Sequence, residues 1–501
     1  MVFRADASSK IGGGHVMRCL TLADMVGDGT PSTFVCRDLD GAVFDLIEGR
    51  GHRVIRLPAE TSHWRDDAEQ TLDSIGVRRF DWLVTDHYGL DARWEGAMRP
   101  VADRLMVIDD LADRPHDCDL LLDQTPGRTR TNYGGLTADT CRHLFGPSHA
   151  LVGASFRNRR ETALERRQSA NGIRRILVSF GLMDGGEGAG LALSAIARSK
   201  LDADAIVDVV LNENAPRADA VRRQAKRLVA TAHVHFSTTE MADLMAKADL
   251  AIGAAGTTSW ERCCVGLPAL ILTTAENQNL NAEVLEKRGA AKALGSMDAA
   301  SPDLLAREIN AMIAGGSAVS DMARNAAEIF NINKEIWMRT EMQPLERVRD
   351  GGTVRLRRAE ADDSEIAYGW QCLPETRRFS RNPLPPTRED HLKWFTARLV
   401  DHTCLLFIIE HATAPVGVLR LDARPQRDGY ELSVLVAPEK WGLGIGHAAL
   451  RLARQALPRG IFHAYVMPGN RRSRSMFEKA GYQPANNDWL VREPDNLERI
   501  F

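Results

Sequence analysis

A histidine set behind three glycines is the first feature with chemical potential. The segment Ile11-Gly12-Gly13-Gly14-His15-Val16-Met17-Arg18-Cys19 follows a short strand and opens a helix. Glycines let the chain turn sharply and let a ligand come close to the backbone. A helix N-terminus carries free N–H groups and partial positive charge. That charge disfavours an imidazolium and leaves His15 neutral, able to accept a proton as a general base. Spacing alone leaves a second reading open, a loop histidine at a helix start.

Two further segments have the chemistry of phosphate sites. Gly253-Ala254-Ala255-Gly256-Thr257-Thr258-Ser259-Trp260-Glu261 places small and hydroxyl residues before a helix, which suits a diphosphate at its N-terminus. Glu261, near the first turn, has the chemistry to accept from two ribose hydroxyls, or to act as a helix-dipole acid with no ligand. In the last third, Tyr430-Glu431-Leu432-Ser433-Val434-Leu435-Val436 reads as a strand, followed by Trp441-Gly442-Leu443-Gly444-Ile445-Gly446-His447. Alternating glycines at a helix start expose N–H groups to a diphosphate. Glu431 is either a base for an ammonium or a structural carboxylate. Arg471, Arg472 and Arg474 either pair with phosphates or form a solvated face.

The elements that must position these residues follow from periodicity. Strands are expected at 82–85, 105–108 and 119–122, then at 175–180, 205–211, 234–236, 250–252 and 269–272, with helices between them such as 15–25. Strand–helix alternation predicts parallel, doubly wound sheets, hence two Rossmann-like domains, 1–157 and 172–341. The charged stretch 157–172 is expected to connect them. A second boundary is expected near 341–352. Beyond it, strands at 354–358, 405–410, 416–422 and 430–436 read as an antiparallel meander. A helix at 447–457, a strand at 462–467 and a helix at 474–479 follow, giving an α+β domain over 353–501.

Composition narrows the partners. The 501 residues are 44% hydrophobic and 26% charged, with a net charge of −3. Nothing in that balance favours nucleic acid or an acidic membrane surface. No apolar run approaches the roughly 18 residues of a membrane helix, and the start has no signal core, so a cytoplasmic protein is expected. Eight cysteines without a C-x-x-C pair predict reduced thiols. No carboxylate cluster has metal-ligand spacing, so no metal is expected. The oligomeric state is left open.

Several motifs carry family resemblances. Arg4-Ala5-Asp6-Ala7-Ser8, the glycine–histidine segment, Asp86-His87-Tyr88, Trp94-Glu95, Ile108-Asp109-Asp110-Leu111-Ala112-Asp113-Arg114 and Leu121-Leu122-Asp123-Gln124 occur in order. Together they resemble the UDP-sugar hydrolases of pseudaminic acid biosynthesis over residues 3–155. That resemblance implies a GT-B-like pair of Rossmann domains and hydrolysis of UDP-2,4-diacetamido-2,4,6-trideoxy-β-L-altropyranose. It makes His15 the base, and Asp6, Gly13 and Gly14 are expected substrate contacts; Asp86 and Tyr88, just after a strand where α/β folds place ligand contacts, read equally as sugar contacts or as loop structure. The sequence departs from that pattern at Thr125 and at Gly181-Leu182-Met183-Asp184.

Gly266-Leu267-Pro268-Ala269 and Glu276-Asn277-Gln278-Asn279-Leu280-Asn281 resemble the donor half of GT-B enzymes that use UDP-GlcNAc. The resemblance implies nucleotide-sugar contacts at Gly256, Thr257, Thr258, Glu261, Asn277, Gln278 and Asn281; the amides read equally as surface loop. Residues 353–493 resemble the GNAT fold, through the strand, the glycine loop, Asn470-x-x-Ser473 and Glu478-Lys479-Ala480-Gly481-Tyr482. This implies acetyl-CoA as co-substrate, held at Val434, Val436, Gly442, Gly444, Gly446, Asn470 and Ser473, with acetyl passed to an amine. Trp441 stands where Arg or Gln usually begins the loop. Phe477 stands where a Tyr often protonates the leaving thiolate, and a phenyl ring has no proton to give.

The combined expectation is a bifunctional enzyme: N-acetylation of a 4-amino UDP-sugar, then hydrolysis of the diacetamido product. The rival readings are a GT-B glycosyltransferase with an accessory acetyltransferase, and a nucleotide-sugar-binding scaffold without turnover.

Overall fold

The structure is a computed structural model that describes residues 1–494, except 9, 28, 60–62, 77, 170–171, 182–183, 331–333, 425–427 and 487. Leu182, Met183 and the last residues of the expected C-terminal domain therefore lie outside the described residues. The contacts divide the chain into two compact units, 1–331 and 332–501.

The first unit holds two parallel sheets. The first comprises β1 (Val2–Ala5), β2 (Thr33–Arg37), β3 (Arg53–Leu57), β4 (Phe80–Asp86), β5 (Ala102–Ile108), β6 (Leu120–Asp123) and β7 (Arg142–Phe145), in the order β3-β2-β1-β4-β5-β6-β7. The second comprises β8 (Arg175–Ser179), β9 (Ile206–Leu211), β10 (Thr231–Phe236), β11 (Leu250–Ala254), β12 (Ala269–Thr273) and β13 (Lys292–Ser296), in the order β10-β9-β8-β11-β12-β13. Both follow the doubly wound Rossmann order, which reverses between the first and fourth strands. Central strands are buried on both faces, so they read as apolar runs; β6 is Leu-Leu-Leu-Asp and fully buried.

An ion-pair knot ties the first sheet to its helices. Arg4, fully buried on β1, donates to Asp6 (2.6 Å) and to Asp67 (2.6 Å) on the helix Trp64–Ile75. Arg37 and the Trp94 indole donate to the same Asp67 carboxylate, at 2.5 and 2.9 Å. The Asp6–His87 and Trp94–Glu95 portions of the hydrolase-like motifs are thus largely scaffold: Glu95 accepts from His116 (2.8 Å) and from the Asp117 N–H (2.6 Å).

The charged stretch expected to be a connector is a helix, Ala154–Ser169. Its arginines reach back to the protein, partly or wholly buried. Arg167 is buried and donates to the carbonyls of Met245 (2.6 Å), Ala248 (3.0 Å) and Val265 (2.5 Å). Ala248 and Val265 terminate the helices Met241–Lys247 and Thr258–Cys264, where a cation complements the exposed carbonyls.

The second unit is one mixed sheet: β14 (Glu346–Arg347), β15 (Thr353–Arg358), β16 (Cys404–His411), β17 (Ala414–Ala423), β18 (Tyr430–Val436), β19 (Phe462–Tyr465), β20 (Gln483–Pro484) and β21 (Trp489–Arg492). Their order is β14-β15-β16-β17-β18-β19-β21-β20. β15 to β18 form the expected antiparallel run, though two helices, Ser364–Cys372 and Arg388–Val400, intervene before β16. β18 and β19 run parallel and pair only at Tyr430↔Phe462 and Glu431↔His463. Beyond those pairs the ladder ends, leaving β18 with an unpaired edge toward Val436.

The helix Lys334–Met342, most of which falls inside the expected bounds of the second domain, packs on this sheet. The Trp337 ring lies 5.1 Å from Phe407, and the Arg358 guanidinium covers it. The boundary therefore falls at 331/332 rather than near 341–352.

Candidate active sites

The crevice at a sheet's reversal point is where α/β folds gather ligands. In the first sheet β1 and β4 flank that point. β1 leads through the glycine turn to the helix Gly14–Val26, and β4 ends on Asp86. His15 Nδ1 lies 2.5 Å from Asp86 Oδ1. Arg18, one helical turn on, donates to both Asp86 oxygens at 2.8 Å and to Asp110 at 2.9 Å.

Arg18 Nη2 also lies 3.0 Å from His15 Nδ1. A guanidinium has only protons to offer and a carboxylate only lone pairs, so both cannot bond Nδ1 at once. The shorter Asp86 contact puts the proton on Nδ1, and the Arg18 approach follows from their sharing Oδ1. Nε2 then carries the free lone pair, the arrangement a base needs. Burial pushes the Asp86 carboxyl up, but the Arg18 and His15 charges outweigh it and hold the carboxyl below its ordinary range.

Asp86 is 1% exposed with both oxygens engaged, so it orients His15 rather than facing a sugar. Asp6 is equally buried, bonded to Arg4, the Arg37 N–H and His87. Both were expected as substrate contacts, and both are buried among side-chain partners. Gly13 is the residue before the helix and makes no side-chain cap, and a Cβ added at Gly14 would meet nothing within 4 Å. Packing does not demand Gly14; the space beside it is open. Tyr88 is partly exposed and stands edge-on to His15, with ring centroids 4.5 Å apart. Arg18 and Asp110 were missed as site residues. The three-residue step from His15 to Arg18, which puts both on one helical face, was the available signal.

The second sheet contributes from its own reversal point, β8 and β11. Gly256, Thr257 and Thr258 lead into Thr258–Cys264, a short helix of 7 residues, and Glu261 is half-buried on it. Gln278 accepts from the Thr274 N–H (3.0 Å). Asn281 donates to the Ala255 carbonyl (3.2 Å), while its Oδ1 is buried without a hydrogen-bond partner. Asn277 donates to the Tyr88 hydroxyl (3.2 Å), which donates to Asp110 (3.3 Å). Burial and the Asp110 charge both push the Tyr88 phenol up, so it stays protonated as a donor. One continuous path thus joins His15, Asp86, Arg18, Asp110, Tyr88 and Asn277 across the two sheets.

In the second unit a cleft of about 1260 Å³ follows β18 and the glycine loop. Val434, Val436, Gly442, Gly444, Gly446, Asn470 and Ser473 all line it, as does Glu431. Gly442 and Gly444 have φ of 90° and 93°, a region that favours glycine. Gly446 is glycine for another reason: a Cβ there would sit 2.6 Å from Met476 Sδ. Asn470 accepts from the Ser473 N–H (3.1 Å) and so caps the helix Arg471–Lys479. Trp441 donates its indole N–H to the Val436 carbonyl (2.7 Å), and Arg472 stacks on its ring. Phe477 is buried against Tyr482, and its ring is part of the core. Glu431 is ion-paired with Arg381 at 2.8 Å. The left-handed glycine loop, the unpaired β18 edge and a lining rich in Arg and Lys fit a diphosphate-bearing thioester such as acetyl-CoA.

Among the described residues, no group of three or more His, Cys, Asp and Glu could hold a metal, and no helix is long and apolar enough to cross a membrane.

Comparison with known proteins follows the same division. Residues 353–483 match the Acetyltransferase (GNAT) domain, and residues 210–336 the Glycosyltransferase family 28 C-terminal domain. The UDP-2,4-diacetamido-2,4,6-trideoxy-beta-L-altropyranose hydrolase of Campylobacter jejuni is 31% identical over 157 residues, covering 31% of this chain and 53% of that protein. The match thus spans about half the length of that relative. An uncharacterized protein of Methanocaldococcus jannaschii is 22% identical over 508 residues, covering 97% of this chain and 98% of its own. Among solved structures, MurG of Acinetobacter baumannii is 14% identical, covering 65% of this chain and 94% of its own with a TM-score of 0.45. The chain therefore joins a region similar to a UDP-sugar hydrolase, and a glycosyltransferase family 28 C-terminal domain, to a GNAT acetyltransferase domain.

Proposed function

We propose that the chain is a bifunctional nucleotide-sugar enzyme. Its first unit hydrolyses UDP-2,4-diacetamido-2,4,6-trideoxy-β-L-altropyranose to UDP and the free sugar. Its second unit acetylates the 4-amino group of the UDP-sugar precursor. The observation that carries the hydrolase reading is the His15–Asp86 bond at the β1/β4 reversal point, which leaves Nε2 as a base. The Campylobacter relative supports the substrate.

In this reading His15 Nε2 takes a proton from the water that attacks C1. Asp86 stabilises the imidazolium that forms, and Arg18 holds Asp86 in place. Gly256, Thr257 and Thr258 offer N–H and hydroxyl donors to the departing diphosphate, and Glu261 accepts from the ribose. Tyr88, Gln278 and Asn281 contact the sugar, and Asn277 braces Tyr88. In the second unit the Gly442 and Gly444 loop and the β18 edge at Val434 and Val436 hold acetyl-CoA, which supplies an activated acetyl group. Asn470 fixes the start of the neighbouring helix rather than touching the thioester.

The test is His15→Ala with the diacetamido UDP-sugar. UDP release should fall by about 10⁴-fold while calorimetry still shows UDP binding. Near-normal release would end the reading. The family 28 match favours one rival, a glycosyltransferase. UDP release without any added acceptor separates the two. Coupling of the two units is tested with the 4-amino UDP-sugar: UDP should appear faster when acetyl-CoA is present, and equal rates would refute the sequence of steps.

A further inference from the structure

The acetyltransferase cleft contains a cation that the co-substrate does not account for. Arg349 donates to the Gly442 carbonyl (3.0 Å) and Arg472 covers Trp441, so these two belong to the glycine-loop end. Arg381 sits elsewhere. It pairs with Glu431 near the start of β18, whereas the glycine loop follows the end of that strand at Val436. At the usual strand rise those ends are about 16 Å apart. A diphosphate on the loop is out of reach of Arg381.

Arg381 is built into place. Its guanidinium lies 4.6 Å from the Tyr465 ring centroid and 5.3 Å from that of Trp489. Those two rings pack edge to face, from paired positions on β19 and β21. The loop bearing Arg381 is pinned by Arg377, which donates to the Gln371 and Asn382 carbonyls (2.6 and 3.0 Å). The Arg381 side chain nevertheless keeps 55% of its exposure, and that of Glu431 27%. Both line the cleft, whose only other carboxylate among the described residues is Glu375. An exposed ion pair of this kind is worth roughly 1 kcal/mol or less, so an incoming anion can take the arginine. A guanidinium braced by aromatic rings can exchange its carboxylate partner for bidentate bonds to a phosphate.

We propose that Arg381, braced by Tyr465 and Trp489, is a phosphate site for the acetyl acceptor, and that an acceptor phosphate draws Arg381 away from Glu431 and frees that carboxylate to take the acceptor's proton. The inference rests on the acetyltransferase reading above. The acceptor ammonium loses one proton to Glu431, its nitrogen bonds the acetyl carbon as the carbon–sulfur bond breaks, and its second proton leaves with the thiol. Nucleotide-linked and sugar-1-phosphate amines share the required chemistry; a neutral glycoside lacks it.

The experiment uses the full chain and three amines of one 4-amino sugar: the UDP-linked form, the 1-phosphate and the methyl glycoside. Thiol release is followed with acetyl-CoA saturating. The wild type should show a KM at least tenfold lower for the phosphate-bearing amines than for the methyl glycoside. Arg381→Ala should erase that difference by raising the phosphate-bearing KM values, and should raise kcat for the methyl glycoside, because Glu431 is then no longer paired. Arg381→Lys should retain part of it. Glu431→Gln should lower kcat for the two phosphate-bearing amines far more than for the methyl glycoside, and leave KM in place. Unchanged acetyl-CoA affinity and melting temperature show that each variant is folded. A KM advantage confined to the UDP-linked form assigns the phosphate to a nucleotide; an advantage shared by the 1-phosphate assigns it to the phosphate alone, and either supports the proposal. Equal KM values for all three in the wild type, or an equal penalty from Arg381→Ala, overturn the proposal while leaving the acetyltransferase intact. If no amine is acetylated, the acetyltransferase reading falls, and this inference with it.

Discussion

The two candidate sites are built on opposite plans. In the first unit, His15, Asp86, Arg18 and Asp110 are buried or nearly so and bonded to one another before any ligand arrives. In the second unit, Glu431 and Arg381 stand in a wide cleft, each substantially exposed. A buried network fixes tautomer and orientation because breaking it leaves an unpaired charge in a poor solvent. An exposed pair can be exchanged by a ligand at small cost. The contrast fits a base that must always be ready, beside one that is uncovered on demand.

The strongest way to break that comparison is a double dissociation. His15→Ala should remove about 10⁴-fold from UDP release and leave thiol release from acetyl-CoA unchanged. Asp86→Asn should cost about 10²–10³-fold in UDP release, because the amide favours the wrong imidazole tautomer. It should also destabilise the first unit, since Arg18 is left with Asp110 as its one remaining partner carboxylate. If either change impairs acetylation as much as hydrolysis, the two sites are not independent.

A second prediction concerns pH and only the first unit. His116 lies between Glu95 (2.8 Å) and Asp109 (3.8 Å), fully buried. Burial opposes its charge, but the nearby Asp109 and Glu95 carboxylates outweigh burial and raise it to about 9. The folded value lies above the unfolded one of about 6.5. The stabilisation is therefore fully present below about pH 6.5 and is lost as pH climbs through about 9, for a total on the order of 3 kcal/mol. Urea unfolding across that range should show it, and His116→Gln should flatten the slope. A slope that survives in the variant would assign it to another group.

Much of the fold was legible because buried parallel strands announce themselves. β4, β5, β6, β11 and β12 are short apolar runs, and each was placed within three residues at either end. β3 was not, because it lies at a sheet edge and carries Arg53 and Arg56 outward. The helix Ala154–Ser169 escaped because its arginines bond to carbonyls far along the chain, and composition alone makes such a segment look solvated. At the sites, His15 was legible from the glycine turn. The work of Asp86 was not, since sequence cannot say whether a carboxylate after a strand points out to a ligand or back to a histidine. Asn470 lines the cleft and also caps a helix, and cap and ligand contact ask for the same amide.

Two glycines of the acetyl-CoA loop sharpen the comparison at smaller scale. Gly444 has φ 93° and open space around it, whereas Gly446 is limited by Met476. Gly444→Ala should strain the backbone by about 1–2 kcal/mol and reshape the loop, so acetyl-CoA affinity should fall. Gly446→Ala should push on a flexible thioether and cost about 1 kcal/mol of stability, with affinity held. Calorimetry and thermal melts on both variants distinguish them. Equal losses of affinity would mean that both glycines serve the ligand. UDP release should be unaffected in either case.

The smallest effect is expected where the two sheets of the first unit meet. Asn277 reaches Tyr88 through one hydrogen bond of 3.2 Å, at a partly exposed hydroxyl already bonded to Asp110. Such a bond contributes about 1 kcal/mol, so Asn277→Ala should raise KM for the UDP-sugar by about fivefold. Its effect on kcat should be slight, because the His15–Asp86 pair lies beyond Tyr88 and keeps its own partners. Tyr88→Phe removes the same bond from the other side and also the bond to Asp110. If the two variants are measured singly and together, the double should cost no more than Tyr88→Phe alone. Additive losses would mean that Asn277 acts on the sugar directly, and that the second sheet contributes a contact of its own rather than a brace for the first.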